Sequence, residues 1–192
     1  IIENNTFYSN HRLVHIYDGV GSDNFFPFFI TSDNNYFWIL ETADNVVYRY
    51  WKDMTSTGMH FDTAADNSGT YGIAQDNTYF WIADTEDDEV YQYTLSGTYT
   101  GIHFDTNLTG NSDIGGIFSN GASIWITDII DDEVYQYTLS GTYTGIHFDT
   151  NSTGSGAAIG NNDPRGIVTN GVYFWVTDRA DARVYQYNLD GT

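Results

Sequence analysis

The sequence predicts an all-β protein, a four-bladed β-propeller with four antiparallel strands in each blade. The segment DDEVYQYTLSGTYTGIHFDTN occurs at 87–107 and again, unchanged, at 131–151, and two weaker copies flank this pair. Each copy contains four short strand patterns and no helical pattern. Repeats of this length build propellers or solenoids, and four antiparallel strands per repeat favour the propeller over an open β-solenoid. The two ends of the chain also combine into one complete copy.

The first predicted strand of each copy lies at the ring axis. It reads FFI, YGIAQ, GGIFS or RGIVT, and its Gly residues at 72, 116 and 166 allow neighbouring backbones to approach closely. A two-residue turn is expected to follow, because Asn and Gly tolerate the positive φ of a tight turn between twisted strands. These turns are Asp33-Asn34, Asp76-Asn77, Asn120-Gly121 and Asn170-Gly171.

The second predicted strand is apolar on both faces, as in YFWIL, YFWIA, SIWIT and YFWVT. A strand with one solvated face would alternate between apolar and polar residues, so this strand is expected to lie between two stacked blades. A third strand, VYQYTL or its equivalent, and a fourth, TYTGIHFDT or its equivalent, complete the blade. The aligned residues Trp38, Trp81, Trp125 and Trp175 are predicted to pack in the core.

Residues 1–192 are predicted to form a single domain, with blades at approximately 25–63, 68–106, 112–150 and 164–192 plus 11–18. The last copy ends before its fourth strand, and the N-terminal segment RLVHIYD aligns with the fourth strand YTGIHFD of the second copy. This segment is predicted to complete the last blade, either in its own ring or in a neighbouring chain, where a head-to-tail contact would build a filament. Its residues are Arg12, Leu13, Val14, His15, Ile16, Tyr17 and Asp18.

The last copy carries a family resemblance. Its run PRGIV, the turn NG and the run WVTDRADARVYQYNLDG resemble the NHL-repeat and gluconolactonase-like propellers. The resemblance extends over all four copies and implies the propeller fold. That superfamily includes ligand-binding scaffolds, lactonases and lyases, so the resemblance does not select one function. The chain differs from the enzymes of the superfamily in having fewer blades and polar positions that repeat.

The chain is strongly acidic, with 26 Asp and Glu against 6 Lys and Arg and a net charge of −20. Coulomb repulsion argues against nucleic acid or an anionic membrane surface as a partner and favours cations or basic proteins. Without cysteine the chain has no disulfides, and its apolar runs are too short to cross a bilayer. Three glycosylation sequons, at Asn4, Asn107 and Asn151, favour an extracellular or cell-surface location.

The strongest polar pattern is an acidic hairpin between the second and third strands of each blade. An acidic residue stands three and six positions after each Trp, and these side chains either bond turn amides or form a face that binds divalent ions, with calcium favoured by hard oxygen ligands. The candidate ion ligands are Asp84, Asp87, Asp128, Asp131, Asp178 and Asp181. The repeated His60, His103 and His147 lie on the outermost strands, where they are too far apart to share one ion.

These patterns predict a non-catalytic, secreted propeller that binds a basic or extracellular partner or assembles with itself into a filament or surface layer. The sequence contains no nucleophile signature, and four near-equivalent blades offer no singular acid or base, so the protein is predicted not to be an enzyme. A lactonase-like or lyase-like enzyme is one alternative, which would require one asymmetric pocket. A lectin-like module is another, which would require a similar pocket at each blade.

Overall fold

A computed structural model describes residues 27–107, 110–151 and 160–191. None of these residues lies in an α-helix, and no helix able to cross a membrane occurs in the described ranges. The described residues contain fifteen strands: β1 Pro27–Ser32, β2 Tyr36–Glu41, β3 Val46–Trp51, β4 Ser56–Asp62, β5 Thr70–Gln75, β6 Tyr79–Asp84, β7 Glu89–Thr94, β8 Tyr99–Asp105, β9 Ile114–Ser119, β10 Ser123–Asp128, β11 Glu133–Thr138, β12 Tyr143–Asp149, β13 Pro164–Thr169, β14 Tyr173–Asp178 and β15 Arg183–Asn188.

The strands form four antiparallel sheets, each ordered as in the sequence. Blade 1 contains β1–β4, blade 2 contains β5–β8, blade 3 contains β9–β12, and blade 4 contains β13–β15. The predicted four-bladed β-propeller is therefore confirmed. The predicted fourth strand of blade 4, residues 12–18, lies outside the described residues.

The second strands of blades 2 and 3 lie between stacked blades, as their two apolar faces require. Three buried clusters join blade 1 to blade 2, blade 2 to blade 3, and blade 3 to blade 4. In two of these junctions a Trp meets a Phe of the next blade with ring centroids 4.7 Å apart, Trp38 with Phe80 and Trp125 with Phe174. Aromatic residues are thus part of all three clusters, beside aliphatic ones.

The fourth strands interlock with the next blade through a Phe–Gly contact. A Cβ added at Gly97 would overlap the ring of Phe61, and one added at Gly141 would overlap Phe104. Gly191 stands in the same relation to Phe148. All three glycines also have a positive φ, so glycine at these three positions suits both the conformation of the turn and the close contact with Phe.

The connection between first and second strands differs from the prediction. It contains three residues rather than two, and the Asp or Asn that opens it accepts hydrogen bonds from the backbone of the residues two and three positions later. Asp33 and Asp76 also accept from the indole Nε1 of Trp38 and Trp81, at 3.0 and 2.9 Å. The side-chain cap helps to close the turn. The positive φ that was predicted for the second residue of the pair is present at Asn77, Gly121 and Gly171.

Candidate functional site

The acidic hairpins are built around buried carboxylates. The acid three positions after each Trp is almost fully buried: Glu41, Asp84, Asp128 and Asp178 are 0–3% exposed. Asp128 accepts backbone hydrogen bonds from Ile130 and Asp131 through Oδ1 and from Ser112 through Oδ2, at 2.8–3.0 Å. These acids therefore stabilise the hairpin and the connection that enters the blade, as the turn hypothesis predicts.

The acids six positions after each Trp are more accessible. Asp87 and Asp131 are exposed, whereas Asp181 pairs with Arg183 at 3.0 Å and accepts from the Tyr185 hydroxyl. Among the described residues no three Asp, Glu or His side chains are arranged to hold a metal ion. Calcium binding by Asp84, Asp87, Asp128, Asp131, Asp178 and Asp181 stays a prediction.

The sequons and histidines occupy the outer parts of the blades. Asn107 and Asn151 are exposed, and their Nδ2 atoms donate to Asp88 and Asp132; glycosylation stays a prediction, and Asn4 lies outside the described residues. His103 is bonded through Nδ1 to the Tyr99 hydroxyl at 2.6 Å. The histidines lie on three different fourth strands, as expected.

Three further aspartates near the hairpins have a raised pKa. Burial is the main cause for Asp88, Asp113 and Asp132, and neighbouring carboxylates add to it. Asp113 lies close to Asp128, for example, while the guanidinium of Arg165 partly offsets the effect. A raised folded-state pKa means that the folded protein binds these protons more tightly than the unfolded chain does.

Lowering the pH from 7.5 to 5 is therefore expected to stabilise the protein. Between neutral pH and the ordinary Asp pKa, the folded state takes up protons first, so the free energy of unfolding rises as the pH falls. Thermal melting at constant ionic strength measures the effect. The double variant Asp88→Asn, Asp132→Asn is expected to flatten the dependence, and Asp87→Asn serves as the exposed control. A melting temperature that falls steadily from pH 7.5 to 5 would contradict the expectation.

A second polar site lies at the rim of the ring axis. The start of each first strand contributes one side chain, and the equivalent positions hold Phe28, Tyr71, Gly115 and Arg165. The rim is on the face of the acidic hairpins, because the first strands begin opposite the ends of the second strands; Pro164, for example, pairs with Asp178. Unlike the hairpin acids, this position does not repeat from blade to blade.

Arg165 is held in place by two neighbours. Its Nε donates to Asp163 at 2.6 Å, and its Nη1 donates to the Tyr71 hydroxyl of blade 2 at 2.5 Å. Asp163, 9% exposed, also pairs with Arg179 at 2.8 Å. The Tyr71 hydrogen and the Arg165 Nη2 group are left to donate to a ligand, since neither has a protein partner among the described residues.

Two adjacent cavities lie at this rim. One of about 320 Å³ is lined by Tyr71, Arg165 and Arg179, with Phe28 and Asp178. The other, of about 450 Å³, is lined by the first strands of all four blades and, where blade 4 faces blade 1, by Phe37, Trp175 and Val184; it is called the seam cleft below. Phe29, Gly166 and Thr177 line both cavities. Their volumes fall in the range of small-molecule sites.

Sequence reasoning missed the rim. Tyr71 and Arg165 are 94 positions apart, and nothing local predicts their contact. A signal was present, because Arg165 is one of only six basic residues and it stands where the aligned residues are Phe, Tyr and Gly.

No family model matches the chain, and no curated protein sequence matches it. Solved structures match its fold. Virginiamycin B lyase from Staphylococcus aureus has a TM-score of 0.59 and 19% identity, over 88% of this chain and 58% of the lyase. Glutaminyl cyclase from Myxococcus xanthus has a TM-score of 0.64 and 12% identity, over 85% of this chain and 72% of the cyclase. A chain of the nidogen/laminin complex has a TM-score of 0.57 and 15% identity, over 86% and 77%.

These structures define the class of the protein, a β-propeller with a fold-level resemblance to the NHL-repeat and gluconolactonase-like group, as predicted. At these identities the likeness shows the fold alone. The chain spans a little over half the length of the lyase.

The prediction that the protein is not an enzyme is contradicted. Two of these structural neighbours, a lyase and a cyclase, are enzymes, and the propeller fold is compatible with catalysis. The prediction rested on four near-equivalent blades with no singular group. That reason fails at the rim of the axis, where Tyr71 and Arg165 form one asymmetric site.

Proposed function

We propose that the protein binds a neutral, largely apolar molecule through a carbonyl group at the axial rim, as a lyase-like or lactonase-like propeller would. The observation that carries the proposal is the pair of donors, the Tyr71 hydroxyl and the Arg165 guanidinium, at one unrepeated position beside a cavity. Two convergent donors suit a carbonyl oxygen, and they would also stabilise negative charge that develops on it during a reaction.

The charge of the site favours a neutral ligand. The cations Arg165 and Arg179 are balanced by Asp163 and Asp178 around the same cavity. The whole chain carries −20, so an anion would be repelled before it reached the rim. A carbonyl oxygen accepts the same hydrogen bonds without that repulsion. Esters, lactones and amides are the matching substrate classes.

The test uses Prodan, a neutral naphthalene that carries one ketone and changes its fluorescence on leaving water. Tyr71→Phe removes one donor and is expected to weaken Prodan binding about five- to tenfold, because one hydrogen bond contributes about 1 kcal/mol. Arg165→Gln is expected to weaken it at least as much. Arg183→Gln is the control, since Arg183 is a cation outside both cavities. Wild-type affinity in Tyr71→Phe, with the melting temperature unchanged, would refute the proposal.

A protein partner is the second candidate. The unchanged repeat places two identical patches on blades 2 and 3, with Ile102 45% exposed and Ile146 49% exposed beside His103 and His147. A partner could contact both patches at once, and the fold is shared with a chain of the nidogen/laminin complex. Secretion and self-assembly stay predictions. Neither cavity described above repeats between blades, which does not favour the lectin-like alternative.

A further inference from the structure

The first strand of blade 1 has an uncovered apolar residue. Ile30 is 56% exposed, whereas the equivalent Ile73, Ile117 and Ile167 are 4–6% exposed. Those three residues are buried in the clusters that join each blade to the one before it. Ile30 therefore lies on the face of blade 1 that would pack against a preceding blade, and the described part of blade 4 does not cover it.

Blade 4 shows the complementary difference. Val184 is 62% exposed, while its equivalents in the other blades, Val47, Val90 and Val134, are 0% exposed. Trp175 and Phe37 both line the seam cleft, but the described residues show no ring contact between them like the 4.7 Å pairs at the other junctions. Blades 4 and 1 thus face one another across the cleft without packing together.

Blade 1 also differs from the other blades in the turn before its fourth strand, at the position that contacts a Phe of the preceding blade elsewhere. The position equivalent to Gly97, Gly141 and Gly191 is Met54, which has the same positive φ, 68°, but carries a side chain. In the other blades that space is filled by a Phe of the preceding blade. Blade 1 therefore lacks the glycine that the other three blades place at this position.

The chemistry of the cleft is simple. Its walls are formed by apolar side chains such as Ile30, Phe37, Trp175 and Val184, and none of the described residues that line it is charged. It shares Phe29, Gly166 and Thr177 with the rim cavity that Tyr71 and Arg165 line. In a chain of net charge −20, an uncharged apolar groove that leads to two donors matches an elongated neutral molecule with one carbonyl end.

We infer that the seam cleft binds the apolar body of the ligand whose carbonyl group is held at the rim, and that the bound ligand joins blade 4 to blade 1. This inference rests on the proposed function and identifies the ligand class as elongated, neutral and amphipathic. Because the ligand contacts both ends of the blade array, its binding stabilises the ring, and the stabilisation increases with the logarithm of the ligand concentration once that concentration exceeds the dissociation constant.

The experiment compares two probes with a similar apolar body, Prodan and N-phenyl-1-naphthylamine, which lacks the carbonyl. Val184→Asp places a charge in the cleft and is expected to weaken both probes at least tenfold. Val172→Asp is the matched control, because Val172 is 57% exposed but lies outside the cleft. Tyr71→Phe is expected to weaken Prodan alone. Prodan is expected to raise the melting temperature of the wild type and of Val172→Asp, but not that of Val184→Asp.

The outcomes separate the two proposals. If Tyr71→Phe weakens Prodan and Val184→Asp does not, the proposed function stands and the cleft inference is refuted. If Val184→Asp weakens both probes and Tyr71→Phe weakens neither, the rim proposal fails. Sedimentation showing a dimer that Val184→Asp dissociates, without probe binding, would assign the cleft to a second copy. Probe binding only after removal of residues 1–26 would assign it to that segment, and either result overturns the inference.

Discussion

Gly141→Ala is expected to lower the free energy of unfolding by about 3 kcal/mol. The new Cβ would overlap the ring of Phe104 from the preceding blade, and overpacking of this kind costs about 1–3 kcal/mol. A non-glycine residue at φ 80° adds about 1 kcal/mol. Urea unfolding followed by tryptophan fluorescence measures the change.

Gly145→Ala is the matched control. Gly145 has nearly the same φ, 82°, but a Cβ added there meets nothing within 4 Å. Gly145→Ala is expected to lower the free energy of unfolding only by the cost of a non-glycine residue at positive φ, about 1 kcal/mol. Equal losses in the two variants would show that the Phe–Gly contact does not join blades 2 and 3. A larger loss in Gly141→Ala would establish this contact as a determinant of blade stacking.

Asp128→Ala is expected to destabilise the protein by about 4 kcal/mol. The carboxylate is 0% exposed and accepts from three backbone N–H groups, two in its own hairpin and one at Ser112. Each buried donor left without an acceptor costs about 1–3 kcal/mol, reduced where water can enter. Loss of the Ser112 bond also releases the connection that leads into blade 3.

Two substitutions test this explanation. Asp128→Asn keeps one acceptor oxygen and is expected to lose about half as much stability as Asp128→Ala. Asp131→Ala removes an exposed acid of the same hairpin and is expected to change the free energy of unfolding by less than about 0.5 kcal/mol. If Asp128→Ala and Asp131→Ala behave alike, the buried carboxylate does not stabilise the hairpin as described.

The acidic hairpins and the rim lie on the same face of the molecule but have different roles. Asp84, Asp128 and Asp178 accept hydrogen bonds from backbone N–H groups within the blades, and their predicted role as ion ligands stays a prediction. Tyr71 and Arg165 have donors left for a ligand. The donors of the rim therefore lie on the face of the acidic hairpins, and for this reason the proposed ligand is neutral and accepts hydrogen bonds.

The sequence by itself determined the blades. The apolar run around Trp81 predicts a strand covered on both faces, and the unchanged repeat predicts that blades 2 and 3 are alike, because strand patterns depend on residues that are close in the chain. The same local reasoning offered hydrogen-bonded turns as one of two roles for Asp84 and Asp128. It predicted the positive φ of Asn77 in the first turn but not the length of the turn, since the cap from Asp33 or Asp76 depends on side-chain geometry that residue preferences do not specify.

Tertiary structure decided how the ends of the blade array meet. Two features depend on the rotation from one blade to the next, added over several junctions: the contact between Tyr71 and Arg165 and the separation of Phe37 from Trp175. A short stretch of sequence does not determine that total rotation. For this reason, the prediction that four similar blades contain no unique, unrepeated site was wrong. Repetition makes the blade bodies equivalent, but the axis brings together the few positions that do not repeat, and a site can form where those side chains converge.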